Sequence, residues 1–145
     1  MERWVSEFDS WDVCDQVCSG LFDKTSLAHD KALEWSGREE EFVKRAGYVL
    51  MAALAVHDKE AADSRFLEFL PRIEKGSADP RNFVKKAVNW ALRQIGKRNL
   101  QLNRAALESA ERISKKGAPS ARWVASDAIR ELKSDAVQRK LRRSS

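Results

Sequence analysis

The sequence predicts an all-α fold, a stack of helical repeats, and three observations carry the prediction. Ala, Leu, Glu, Lys and Arg dominate, while glycine (6 residues) and proline (3 residues) are scarce, which is a helix-forming composition. The two-residue alternation of a half-buried strand is hard to find anywhere in the chain. Finally, Phe42-Val43-Lys44-Arg45-Ala46 returns 41 residues later as Phe83-Val84-Lys85-Lys86-Ala87. Trp123-Val124 follows after another 40, with Ala128 near the matching small position. Such a period suits a helix pair that cannot bury its apolar face alone and stacks on its neighbours.

A spacing of 40–41 falls in the range of HEAT-like repeats. Ser10 caps a predicted helix over 11–21. A short helix follows over 29–35 and ends at the turn Ser36-Gly37. A long apolar helix covers 40–56, and another covers 63–73 and runs out at Gly76. Pro80, with its fixed φ, suits the first turn of a helix reaching about residue 98. Asn103 starts the next helix, 103–114, which Gly117 ends. Pro119 opens a helix to about 133, and a last one begins near Asp135. No linker interrupts this series, so 1–145 is expected to be one domain, an α-solenoid of HEAT-like repeats.

At 43% apolar residues the chain can build a core, which excludes global disorder. The longest apolar run, 46–56, is too short for a membrane span and is expected to be a buried helix. No membrane partner is expected. The start, MERWVSEFD, lacks the basic-then-apolar pattern of a secretory signal. Cys14 and Cys18 are one helical turn apart, a poor geometry for a disulfide. Packed thiols imply a reducing compartment, so a cytoplasmic location is expected, beside the nucleoid in a bacterium. His29 and His57 are isolated and share no ligand spacing with the cysteines, so neither metal nor cofactor is expected.

Charge is distributed unevenly. Residues 1–41 carry a net −7, 42–79 are balanced, and 80–145 carry +12, within a total of +5. A C-terminal half this basic is an electrostatic footprint for a polyanion. On a helical wheel Val43, Ala46, Val49, Leu50 and Ala53 cluster about Phe42, with Arg45 on the flank. Lys86 holds the position of Arg45 in the next repeat, and Trp90 and Arg93 project to the same flank. Arg45, Lys86 and Arg93 therefore read as a basic lane with Trp90 beside it, as a nucleic-acid backbone would meet. Two plainer explanations stand beside it. An arginine on a helix flank often just reaches water, and a tryptophan on an apolar stripe is often core. Trp4, Trp35 and Trp123 are expected in the core or in repeat packing. Asp12 and Asp15 are explained, by position alone, as first-turn acids favoured by the helix dipole.

Four strings together resemble the DNA alkylation repair glycosylase family: WDVCD at 11–15, FVKRAGYVL at 42–50, DPRNFVKKAVNWALRQIGK at 79–97 and RWVASDAIREL at 122–132. The part around NWALR is the most specific. The resemblance implies a solenoid of HEAT-like repeats that wraps double-stranded DNA in a basic groove. It places the family's essential carboxylate on Asp15 and its active-site arginine on Arg45. It places the two tryptophans that flank the damaged nucleotide on Trp11 and Trp90. Arg93 is then a phosphate contact, and Lys44, Lys85, Lys86 and Lys97 join Arg45 in the DNA-contact set.

The implied activity is hydrolysis of the N-glycosidic bond of positively charged N3- or N7-alkylated purines. Such a base is already a good leaving group, so one carboxylate suffices where other glycosidases use two. Family members are usually longer, with further repeats before the WDxxD motif, whereas ten residues precede Trp11 here. The N-terminal repeat edge is accordingly expected to be a surface for self-association. Two alternatives remain at this level: a non-catalytic HEAT-repeat module for branched or distorted DNA, and a HEAT scaffold for an acidic protein partner.

Overall fold

The computed structural model of the chain describes residues 25–57 and 62–144. The expected helix over 11–21, with Trp11, Cys14, Asp15 and Cys18, lies outside the described residues, as does Trp4. Seven helices and no strand occupy the described residues: α1 (Thr25–Ser36), α2 (Glu41–His57), α3 (Asp63–Gly76), α4 (Asn82–Gly96), α5 (Leu100–Ser114), α6 (Pro119–Leu132) and α7 (Asp135–Ser144).

They pack in two layers. α2, α4 and α6 lie side by side in one layer, with α4 central. α1, α3 and α5 form the other, and the pairs α1–α2, α3–α4 and α5–α6 join the layers. This is the stacking that the 41-residue recurrence requires. Phe42 and Phe83 are each the second residue of their helix, and Val43, Val84 and Val124 all point into the core, none more than 2% exposed. Ala46, Ala87 and Ala128 are fully buried at the places where neighbouring helices approach. One apolar cluster runs through α1 to α6, from Ala32 and Trp35 to Leu132.

Individual boundaries follow from local chemistry. α1 begins four residues before the expected start at 29, then ends as expected at Ser36-Gly37. Gly47 is where α1 crosses α2. A Cβ there would lie 2.9 Å from the backbone of both Ser36 and Trp35, so only glycine permits the approach. α3 continues past 73 to Gly76 although Pro71 sits inside it; Phe66, Phe69, Leu70 and Ile73 bury its inner face. α4 starts at Asn82, two residues after Pro80. The Asp79 carboxylate accepts the Arg81 backbone N–H at 3.0 Å and holds this turn outside the helix.

α5 starts at Leu100, three residues before the expected start. Its cap is Asn99, whose side chain accepts the Leu102 N–H at 2.8 Å. Asn103 is buried inside the helix and serves as a bridge. Its amide donates to the carbonyls of Gly96 and Leu132, and its Oδ1 accepts from Gln138. Gly117, at φ +81°, makes the turn into α6, and Pro119 takes the first turn of α6 as expected.

Trp35 is fully buried, as expected of a core residue. Trp123 is not in the core: it is 41% exposed, and the Lys85 ammonium lies 4.9 Å from its ring centroid. The reason is register. Val124 takes the inward position, which turns the preceding residue outward, as it does Phe83 before Val84.

Candidate nucleic-acid interface

α4 has two clearly different faces. Val84, Ala87, Val88, Ala91, Leu92 and Ile95 are fully buried. Lys86, Trp90, Arg93, Gln94 and Lys97, at intervals of four, three, one and three, share the opposite face. Lys86 is exposed, the other four are partly exposed, and the Trp90 ring packs against the core. The structure thus brings together Lys86, Trp90, Arg93 and Lys97 among the expected site residues.

Arg93 and Lys97 are held by α6. Arg93 Nη1 donates to Glu131 at 2.8 Å, Arg93 Nε donates to Asn89 Oδ1 at 2.8 Å, and Asp127 lies 3.8 Å away. Asn89 is itself anchored, donating to the Val124 carbonyl. Lys97 Nζ lies 2.7 Å from the other Glu131 oxygen. Partial burial acts to raise the Glu131 carboxyl, but the hydrogen bonds from Lys97 and Arg93 outweigh it and hold the group below its ordinary value. The pairing is therefore stabilising above the ordinary value of 4.5 and is lost as pH falls through the lowered one. The difference in Tm between wild type and Glu131→Gln is expected to be constant above about pH 5 and to close on further acidification. A difference that widens with acid would contradict this.

Arg45 stands apart from that stripe. The wheel puts it on the flank of α2, yet it is 1% exposed. Its Cζ lies 4.9 Å from the Phe42 ring centroid and 5.2 Å from that of Phe83. Repeat packing brings these two equivalent phenylalanines, one from α2 and one from α4, to the same guanidinium. A buried charge is costly unless compensated, and two aromatic faces supply part of the compensation.

Lys44 and Lys85, one residue earlier in each repeat, face elsewhere. Lys44 donates to Asp79 at 2.9 Å, while Lys85 lies over Trp123. Hydrogen bonds from Arg81, opposed by partial burial and reinforced by Lys44, keep the Asp79 carboxyl far below the usual range. The expected lane of Arg45, Lys86 and Arg93 is thus a surface stripe on α4 with a buried guanidinium at one side.

Sequence reasoning missed Asp127 and Glu131. A signal was present: they are four apart on one helix and are two of only five acids after residue 79. It also missed the joint role of Phe42 and Phe83, although their recurrence was plain. Among the described residues no group of three His, Cys, Asp or Glu is placed to hold a metal ion. Among them, too, no helix is long and apolar enough to cross a membrane.

The model of the family described as DNA alkylation repair enzyme matches residues 1–132. The chain belongs to that family. No curated protein and no solved structure gives a significant match. The match to the DNA alkylation repair enzymes covers the WDVCD string, the Arg45 helix and all of α4, and it stops at the end of α6. The matched range thus takes in the all-helical stack from α1 to α6.

Proposed function

We propose that this protein is an alkylpurine DNA glycosylase that hydrolyses the N-glycosidic bond of positively charged N3- and N7-alkylated purines in duplex DNA. Membership of the DNA alkylation repair family carries the proposal, and Asp15, Arg45 and Trp90, on which the motif resemblance places the family's site residues, fall within the matched range. The α4 face supports it, since Lys86, Arg93 and Lys97 flank a partly exposed Trp90. The stacked helix pairs are taken as HEAT-like repeats whose α2–α4–α6 layer meets the duplex.

The chemistry follows from the substrate. An alkylated purine leaves without protonation, and positive charge builds on the sugar as the bond breaks. The Asp15 carboxylate stabilises that charge and orients the attacking water. The faces of Trp11 and Trp90 attract the electron-poor sugar. Arg45 acts from behind the surface, where a desolvated guanidinium exerts a stronger field than one in water. Lys86, Arg93 and Lys97 take the backbone phosphates, with Lys44 and Lys85 adding to the field around them.

The test is release of 7-methylguanine from a methylated duplex under single-turnover conditions. Release well above spontaneous depurination is expected. Release at the spontaneous rate, with duplex binding retained, would leave a DNA-binding protein without this activity.

A further inference from the structure

α7 lies beyond the matched residues 1–132, so the family does not account for it. Its Leu141 is buried and its Val137 half-buried, while Arg139, Lys140, Arg142 and Arg143 are exposed. Between α7 and the C-terminal ends of α2 and α4 is a cleft of about 480 Å³. Gln94, Lys97, Arg98, Asn99 and Lys140 line it, with the end of α2 as an apolar wall.

Three cations and two side-chain amides thus converge from two helices and the turn between α4 and α5. Arg98 is fixed from behind: its Nη1 donates to the Ala55 carbonyl at 3.0 Å, and its Cζ lies 4.1 Å from the Phe66 ring centroid. Among the described residues, the Glu131 carboxylate lies against Lys97 and the Asp63 carboxylate accepts from Asn99. A helix C-terminus ordinarily repels an anion, and the cations at 97, 98 and 140 reverse that here.

We propose that this cleft binds a backbone phosphodiester of the DNA duplex, which makes α7 an additional electrostatic contact; the inference rests on the DNA-binding reading above. A phosphodiester offers several acceptor oxygens and suits donors arriving from different elements. The cleft also continues the α4 stripe, because Lys97 belongs to both. From Lys86 to Lys97 is about 16 Å along the helix, comparable to about five base pairs of duplex. The cleft therefore engages a phosphate well removed from the one at Lys86.

The test measures affinity for an undamaged duplex against salt concentration for the full chain and three variants. Lys140→Gln probes the cleft, and Lys86→Gln probes the far end of the stripe. Lys115→Gln is a control at the C-terminal end of α5, about 22 Å along that helix from its start. All three lysines are exposed, so the variants should fold, which circular dichroism checks.

The expected result is a slope of log K against log salt reduced by about 0.9 in Lys140→Gln and in Lys86→Gln, and unchanged in Lys115→Gln. An unchanged slope in Lys140→Gln with a reduced one in Lys86→Gln overturns the cleft and leaves the DNA-binding reading intact. Equal reduction in all three variants means diffuse charge and also overturns it. No salt-dependent binding by the wild type overturns both.

Discussion

Asp15→Asn is expected to lower 7-methylguanine release by about 10²–10³-fold or more, down to the spontaneous rate. The substitution keeps the shape of the side chain and removes its charge. If the carboxylate serves the reaction by stabilising a sugar cation, loss of charge removes that stabilisation. The leaving base needs no acid, so no second group compensates. In the helix that the sequence predicts over 11–21 an aspartate at 15 would also interact with the dipole, but that contribution is only about 0.3–1 kcal/mol, too small to unfold the chain. Duplex binding, which the proposal assigns to cations elsewhere, should change little. Single-turnover release with protein in excess measures the ratio directly. A ratio near one would take Asp15 out of the reaction, whatever becomes of the proposed DNA-binding face.

Gly47→Ala is expected to destabilise the fold by about 3 kcal/mol, at the upper end of the usual range for overpacking. The added methyl would meet the backbone of Ser36 and Trp35, not the flexible end of a side chain. Backbone atoms at a helix crossing cannot step aside singly, so α1 must move off α2 as a body. That movement would open the fully buried Trp35 to water. Thermal denaturation should show Tm lower by about 10 °C, from a few degrees for each kcal/mol. A Tm within about 2 °C of wild type would mean that the helices separate cheaply.

The stack was legible because its causes are local and repeated. The recurrence of Phe-Val-Lys at 41 residues by itself places α2 and α4 in register. Pro119 and Gly117 marked the α5–α6 turn by backbone geometry alone. Errors arose where a side chain had two possible jobs. Asn103 resembles a cap, yet the cap is Asn99, and Asn103 ties α4, α6 and α7 together. Pro80 suits a first turn, yet the Asp79 carboxylate bends the chain there instead.

The site was legible only along one helix. A wheel sorts the residues of α4 correctly because both of its faces are set by that helix. It cannot see that Phe83, from the neighbouring helix, approaches Arg45, or that α6 brings Glu131 to Arg93 and Lys97. Those are contacts across 38 and 34 positions for Glu131, and 38 for Phe83, and no periodicity within one element reports them.

In the two-layer stack each helix packs chiefly on the next or the next but one. Few interactions then require distant parts of the chain to meet, a topology that allows rapid folding. Opening need not be all-or-none either. Among the described residues α7 packs on α6 and is tied to α5 through the Gln138–Asn103 hydrogen bond, whereas α4 has neighbours on both sides and in the opposite layer. Amide hydrogen exchange should accordingly be graded, fastest in α7 and slowest in the central α4, so the terminal helix can detach and redock while the middle of the stack stays closed.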